Sequence, residues 1–307
     1  MSKDLLKNRK TVHMLMVLAV IMWGFEYITA KYALEVIEPL TLTCYKYVVA
    51  AVILFLVRTI QRRKFPLQKK HIITLILCAL FGQVLYFLAE YNAMDYLPVS
   101  MISIILAFVP LLSIILEIFI HKRNPNLFIV LGIITCIIGV AIIIGVDLDE
   151  IFSGRGIGYL LAISCVFCWN AYNYITERLT GIYAPYDLTF LQITTAVLLT
   201  LPYALFNPPA PGDIDLVVIG SVLFLGGVAG CLGFIIYVIA ISAIGPTPCA
   251  LYSNFLPVST SVFGWIFLGE RLTMLQIFGG VVVITSAAMV IWQKGRLDER
   301  LAIREKE

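Results

Sequence analysis

Charged side chains are scarce in this sequence. Only 13% of its 307 residues are charged, 61% are hydrophobic, and the mean hydropathy is +0.96. A water-soluble globular chain carries roughly 25% charged residues. The shortage of charge therefore excludes a soluble globular domain and indicates an integral membrane protein.

Histidine is also rare, and no catalytic or metal-binding motif is present. The three histidines, His13, His71 and His121, are scattered without partner residues. Cys165 and Cys168 are three residues apart, but no His or further Cys that would complete a metal site lies nearby in the sequence. All seven cysteines fall inside apolar runs, which argues against a disulfide framework. We therefore expect no enzymatic activity, no catalytic residue, no metal and no cofactor.

The sequence does contain long apolar runs. About 20 apolar residues form a helix that crosses the hydrocarbon core of a bilayer. These runs do not alternate polar and apolar residues as the strands of a membrane barrel do. The predicted fold is all-α and integral to the membrane, with ten transmembrane helices over residues 12–34, 39–59, 72–94, 98–120, 126–145, 156–178, 186–206, 215–242, 247–268 and 273–293.

The basic residues predict the orientation of these spans. With the N-terminus in the cytoplasm, 18 of the 22 Lys and Arg residues lie in inside segments, where positive charge collects in membrane proteins. Both termini are then cytoplasmic, and the basic tails require no nucleic-acid partner. The expected location is the plasma membrane, and the short loops suit a prokaryotic inner membrane.

The two halves of the chain resemble each other. Matches recur at an offset of 146 or 147 residues and pair Trp23 with Trp169, Ala93 with Ala240, Pro110 with Pro257 and Gly132 with Gly279. We therefore predict one five-helix repeat over residues 1–150 and a second, with a short cytoplasmic tail, over residues 151–307. An odd number of spans in each repeat inverts the second relative to the first. Many secondary transporters have this architecture, with the substrate site near the membrane midplane.

A group of motif residues carries a family resemblance that covers essentially the whole chain. They are Trp23-Gly24, Lys31 and Pro39 in the first half, and Gly245, Pro257, Leu268-Gly269-Glu270-Arg271, Gln276 and Gly279 in the second. In these residues the chain resembles the EamA-like branch of the drug/metabolite transporter (DMT) superfamily. The resemblance implies ten helices in two repeats and transport of amino acids, amines, sugar phosphates or drugs. Two departures are Lys46, where the family commonly has Arg, and Glu26, which is not typical of it.

Ionisable residues inside membrane spans are costly and are candidates for function. Glu26 and Lys46 lie at similar depth in the first two spans, and Lys31 and Glu90 are matched nearer the outer surface. These residues either form two ion pairs that only stabilise packing or bind a solute. In the second case Glu26 or Glu90 binds a cationic group or a proton, and Lys46 binds a carboxylate or keeps Glu26 ionised.

Helical spacing adds aromatic and amide residues to the candidate site. They are Trp23 and Tyr27 beside Glu26, Tyr86 beside Glu90, Trp169, Tyr172 and Asn173 in the sixth span, Tyr237 in the eighth and Asn254 in the ninth. Aromatic rings beside carboxylates hold amines through cation–π contacts. Helix packing is the alternative role for each of these rings.

Together these features predict a secondary transporter of amino-acid-like or amine solutes that works by alternating access. Coupling to protons and uniport or exchange without protons both remain open. Alternatives are an efflux uniporter or exchanger for drugs or other metabolites, a membrane-embedded enzyme, and a scaffold without flux. The expected partners are a small solute, the lipid bilayer and, in the coupled case, protons, and the protein is a monomer or a homodimer.

Overall fold

The computed structural model describes residues 9–62, 67–121, 127–144 and 154–304, and this part of the chain is helical with no β-strand. The all-α prediction is therefore confirmed over these residues. The helices are α1 Arg9–Leu34, α2 Pro39–Ile60, α3 Lys69–Ala93, α4 in the two segments Val99–Leu106 and Val109–His121, α5 Leu127–Ile144, α6 Gly154–Glu177, α7 Pro185–Phe206, α8 Leu216–Ile244, α9 Pro246–Leu268 and α10 Met274–Arg304.

Seven of the described helices, α1 to α4 and α7 to α9, are long and apolar enough to cross a membrane. Large apolar side chains cover their outer surfaces, including Phe55, Leu198 and Trp265, which are exposed. Water would disfavour so much exposed hydrocarbon, whereas lipid tails solvate it. The outside of the helix bundle is therefore suited to a bilayer.

Proline and glycine mark several helix ends. Pro39 and Pro185 are the first residues of α2 and α7, where a missing N–H breaks no helical hydrogen bond. Gly245 (φ +83°) and Gly269 (φ +66°) end α8 and α9, because glycine adopts this backbone conformation without strain.

Helices α3 and α8 are each interrupted by a π-helical segment. The segments are Leu80–Leu85 and Phe224–Gly233. Helix α4 is broken between Leu106 and Val109, and α9 contains the 3₁₀ segment Leu251–Phe255. Shifted by the 147 residues that separate Pro110 from Pro257, each irregular segment of the first half overlaps one in the second. Such interruptions are frequent at functional sites.

Packing places six helices around the interior. Helix α1 packs against α8 and α9, and α3 packs against α6. Helices α5 and α10 form a close pair, in which a Cβ added to Gly132 would lie 2.2 Å from Cγ2 of Val290. Helices α1, α3, α4, α6, α8 and α9 surround a central cavity.

Candidate functional site

The candidate site is the cavity enclosed by these six helices. Its lining residues are Met16, Val20, Trp23, Glu26, Tyr27, Tyr86, Phe87, Glu90, Leu106, Val109, Trp169, Phe234, Tyr237, Cys249, Tyr252, Ser253 and Leu256. The irregular helix segments border it: Tyr86 follows the π-helical segment of α3, Phe234 follows that of α8, and Tyr252 lies in the 3₁₀ segment of α9. Local departures from α-helical geometry therefore set the direction of several lining side chains.

A buried salt bridge joins α1 to α2 beside the cavity. The Lys46 ammonium donates a hydrogen bond to Oε1 of Glu26, and the two residues are 0% and 4% exposed. The Lys46 nitrogen also lies 3.3 Å from the ring centroid of Phe87, a cation–π contact. Glu26 lines the cavity, whereas Lys46 lies behind that wall. The predicted Glu26–Lys46 proximity is thus a direct ion pair.

The second carboxylate of the cavity, Glu90, is held by two tyrosines. Its Oε1 accepts hydrogen bonds from the hydroxyl of Tyr27 at 2.5 Å and from that of Tyr86 at 2.7 Å. Glu90 is 2% exposed, and it makes no salt bridge with any residue in the described part of the chain. Two neutral donors therefore orient this carboxylate without neutralising its charge.

The predicted pairing of Lys31 with Glu90 is wrong. The Lys31 ammonium donates instead to the backbone carbonyl of Met94 at 2.5 Å. Helices α1 and α3 are in register, so that Tyr27 faces Glu90 and Lys31, one turn further along α1, faces Met94, one turn beyond Glu90. The lysine therefore lies too far along its helix to reach the carboxylate, and a tyrosine occupies the place that we assigned to it.

Aromatic rings form much of the remaining wall. The ring centroid of Trp169 lies 5.7 Å from that of Trp23, 5.1 Å from that of Tyr237 and 5.0 Å from that of Tyr86. The Trp169 indole N–H donates to the Tyr237 hydroxyl at 3.0 Å, which in turn donates to Oδ1 of Asn173 at 3.0 Å. These hydrogen bonds orient the rings of Trp169 and Tyr237 in the wall beside the carboxylates.

The structure does not place every predicted site residue on the cavity wall. Lys46, Tyr172, Asn173 and Asn254 are buried outside its lining. Tyr172 donates to Oε1 of Gln192 at 3.3 Å, so it ties α6 to α7. Lys46, Asn173 and Tyr172 contact the lining residues Glu26, Tyr237 and Trp169 from behind the wall.

Sequence reasoning missed several lining residues, above all Phe87 and Phe234. Phe234 stands one helical turn before Tyr237, so the same face of α8 carries both rings. That spacing was a usable signal. Phe87 likewise stands one helical turn before Glu90 in the regular segment Tyr86–Ala93, so the same spacing could have found it.

The cavity extends toward the side of the bundle on which α1 begins. Met16 of α1 and Cys249 of α9 line this part, and a hydrogen bond between His13 and the Tyr252 hydroxyl borders it. At the other side, Oε1 and Oε2 of Glu270 accept hydrogen bonds from the backbone N–H groups of Val99 at 2.8 Å and Ser100 at 3.1 Å. On that side, hydrogen bonds therefore join the turn between α9 and α10 to the start of α4.

Metal chemistry has no visible donor set here. Among the residues that the structure describes, no group of three or more His, Cys, Asp or Glu side chains could hold a metal ion. Cys165 and Cys168 are free thiols, and the Cys165 Sγ donates to the carbonyl of Tyr86 at 3.5 Å. We therefore assign Cys165 and Cys168 a role in helix packing.

Comparison with known proteins identifies relatives over nearly the whole chain. A model of the EamA-like transporter family matches residues 10–145 and again residues 156–292. The uncharacterized transporter YoaV of Bacillus subtilis is 22% identical over 86% of this chain and 90% of its own. A protein of Salmonella typhimurium named as a probable amino-acid metabolite efflux pump is 25% identical over 88% of this chain and 91% of its own.

The fold also has a solved counterpart. A crystal structure with 17% sequence identity superposes with a TM-score of 0.68 and covers 94% of this chain and 99% of its own. This likeness concerns the fold alone.

Proposed function

The chain belongs to the EamA-like transporter family, and we propose that it is a secondary transporter of small amine or amino-acid-like solutes. Membership makes it a multi-pass transporter of the plasma membrane. The solute class, the mechanism and the coupling are our proposal. One observation supports them above all: an unpaired carboxylate, Glu90, lies in an aromatic cavity inside the helix bundle.

We propose that the solute binds where Glu90 meets the rings of Trp23, Trp169 and Tyr237. A protonated amine would pair with the carboxylate and lie against the ring faces, which attract cations. Glu26 adds a second carboxylate to the same wall, but its charge is offset by Lys46. Glu90 is thus the better candidate of the two for direct contact with the solute.

The proposed mechanism is alternating access between two inverted five-helix repeats, over residues 1–150 and 151–307, with both termini in the cytoplasm. Two observations support the repeats: the family model matches each half separately, and the irregular helix segments recur at the same offset. In this arrangement the cavity extends toward the cytoplasm, and contacts such as that of Glu270 with α4 close the other side.

Proton coupling would fall to Glu90. A carboxylate in a membrane interior is costly while it is charged and alone. A proton relieves that cost when the cavity is empty, and a cationic solute relieves it when the cavity is filled. Because one carboxylate then serves two competing ligands, a proton gradient drives the solute in the opposite direction.

Export is the direction that the relatives favour. The proteins of Salmonella typhimurium and Escherichia coli that are 25% and 24% identical are both named as probable amino-acid metabolite efflux pumps. A proton gradient directed into the cell drives export if protons and solute exchange. Uniport of the same solutes is the second candidate, because a neutral Tyr–Glu–Tyr arrangement also suits a site that never titrates.

Uptake into proteoliposomes tests the proposal. The purified chain is reconstituted and given a panel of labelled amines and amino acids, with and without a proton gradient. We compare the unmodified protein with Glu90→Gln, Glu26→Gln and the control Glu35→Gln, an exposed glutamate in the turn that follows α1. We expect gradient-driven accumulation of a solute that Glu90→Gln abolishes and Glu35→Gln preserves.

Two results of this assay would each contradict part of the proposal. If no solute of the panel moves although the protein is folded and inserted, the proposed transport of these solutes is wrong. If the solute moves equally with and without the gradient, transport stands and proton coupling is wrong.

A further inference from the structure

The buried charges beside the cavity do not balance. Glu26, Lys46 and Glu90 are at least 95% buried; when all three are ionised, they sum to one negative charge. The described residues that line the cavity include no Lys, Arg or His side chain. An interior with one excess negative charge is unfavourable in a membrane, so the cavity requires one positive charge from elsewhere.

Lys46, the one buried lysine among the described residues, is not free to pair with a ligand carboxylate. Its ammonium is bonded to Glu26 and lies over the ring of Phe87, and Lys46 is 0% exposed. Both Glu26 and Phe87 line the cavity in front of it. A carboxylate that entered the cavity would therefore meet Glu26 and Glu90, which repel it, and would find no free Lys, Arg or His among the described lining residues.

The aromatic wall provides the complementary surface for a cation. The ring centroids of Trp23, Tyr86 and Tyr237 all lie within 5.7 Å of the Trp169 centroid. Negative ring faces attract ammonium groups, and sets of rings of this kind recognise quaternary ammonium ions. A zwitterion would gain the same contacts but leave its carboxylate unpaired in the cavity, which costs much of that gain.

From this charge balance we infer that the cavity selects an organic monocation, an amine or quaternary ammonium without a carboxylate, over the corresponding zwitterion, and takes it in exchange for one proton. The inference rests on the proposed function and narrows its solute class. In the exchange the O–H bond of protonated Glu90 breaks, its proton leaves to water, and the carboxylate pairs with the incoming cation. The charge of the cluster is the same in both states, so the exchange moves no net charge.

The groups around Glu90 indicate that this carboxylate is the one that exchanges its proton for the cation. Among the described residues, the titratable side chains that interact with it are Glu26 and Tyr27 of α1, Lys46 and Tyr47 of α2, Tyr86 and Tyr91 of α3, and Cys165 of α6. The tyrosines and the thiol are neutral donors near neutral pH, and Glu26 is offset by Lys46. Only Glu90 among these groups is left to change its charge when a cation enters.

Choline and glycine betaine form a matched pair of probes. Both carry a trimethylammonium group, but betaine has a carboxylate where choline has a hydroxymethyl group. Neither leaks across lipid as a neutral amine. Binding to the purified full chain is measured by calorimetry in weakly buffered detergent solution with a pH indicator, and phenethylamine with phenylalanine serves as a second pair.

We expect the cation of each pair to bind at least about tenfold more tightly than its zwitterion, since only the zwitterion brings a carboxylate that stays unpaired in the cavity. Binding of one cation should release one proton. In proteoliposomes, choline exchange should follow the pH gradient and be insensitive to an imposed membrane potential. Tighter binding of either zwitterion, or absence of binding by both cations to folded protein, overturns the inference.

Two variants separate the charge argument from a general loss of structure. Glu90→Gln should abolish both cation binding and proton release while the thermal midpoint stays measurable. Glu26→Gln frees the charge of Lys46, makes the cluster neutral, and should move the choline-to-betaine binding ratio toward betaine. An unchanged ratio in Glu26→Gln would show that charge balance does not set the selectivity.

The outcomes also distinguish this inference from the proposed function. If amino acids move in proteoliposomes and the cations do not, the protein is a transporter of the proposed kind and the selection for cations is wrong. If neither class moves, the proposed function itself fails.

Discussion

The salt bridge between Lys46 and Glu26 separates the two carboxylates of the cavity into one that is neutralised and one that is not. Lys46 reaches Glu26 from behind the wall, while among the described residues Glu90 is hydrogen-bonded by the hydroxyls of Tyr27 and Tyr86 and makes no salt bridge. In our proposal, this arrangement stabilises the helix packing through the salt bridge and leaves the charge of Glu90 to the solute. It predicts that the three ionisable residues respond very differently to substitution.

Loss of Lys46 should destabilise the protein strongly. Lys46→Met leaves Glu26 buried beside Glu90 without a partner, and breaking a buried ion pair on one side costs about 3–5 kcal/mol. The double variant Lys46→Met, Glu26→Gln removes both charges and should recover much of that loss. Thermal unfolding of the purified protein in detergent measures both, with the exposed Lys69→Met as the control. Additive effects of the two single changes would mean that the pair has no coupling.

The two tyrosine donors should matter for ligand binding more than for folding. Each of Tyr27→Phe and Tyr86→Phe removes one hydrogen bond to the Glu90 carboxylate, and a hydrogen bond to a charged group contributes about 1.5–3 kcal/mol. We expect at least several-fold weaker binding of choline with little change in the shape of the cavity. The matched control is Tyr203→Phe, which breaks a 2.7 Å hydrogen bond to Glu38 on the exposed surface. Equal losses of choline binding in all three variants would rule out a specific role for the two donors.

The apolar pattern of the sequence was sufficient to predict the helices. The predicted seventh span, 186–206, differs by one residue from Pro185–Phe206, because a proline begins this helix and a long apolar run fills it. The family resemblance, the membrane location and the all-helical character over the described residues are confirmed. The ten-span inverted arrangement and the cytoplasmic termini stay predictions.

Contacts between helices were harder to predict than the helices. The Arg58–Asp187 ion pair joins residues 129 positions apart, and we read Arg58 only as a marker of orientation. The Lys31–Glu90 error has a similar cause, since depth along a helix does not define which side chains face each other. The register of α1 against α3 depends on packing, to which a single sequence gives no direct access.

Glu270 should prove to be a stabilising cap. It accepts hydrogen bonds from the backbone of Val99 and Ser100 and from the Ser100 hydroxyl at 2.5 Å, so it completes the first turn of α4 from the turn between α9 and α10. Unsatisfied helix N–H groups are costly, and loss of a cap costs about 0.5–2 kcal/mol.

The test for this cap is the thermal midpoint of Glu270→Ala. We expect it to fall, whereas Glu38→Ala, which loses one exposed hydrogen bond to Tyr203, should stay close to the unmodified protein. The capping role is excluded if the two substitutions lower the midpoint equally.

Two glycines of α8 should differ sharply in their tolerance of alanine. A Cβ on Gly226 would lie 2.5 Å from the backbone oxygen of Lys46 and 2.5 Å from Cβ of Val49, whereas a Cβ on Gly220 meets nothing within 4 Å. Gly226→Ala must push α8 away from α2, at a cost of about 1–3 kcal/mol for overpacking. That displacement moves the backbone that carries Lys46, so transport should fall together with stability.

Gly220→Ala is the matched control on the same helix. It adds a methyl group in open space and removes a flexible residue from a helix interior, which favours the helix by up to about 1 kcal/mol. We therefore expect unchanged transport and an equal or higher thermal midpoint in Gly220→Ala, and losses of both in Gly226→Ala. If Gly226→Ala transports normally, the close approach of α8 to Lys46 is not needed for the site, and the position of the Glu26–Lys46 pair tolerates movement of the helix behind it.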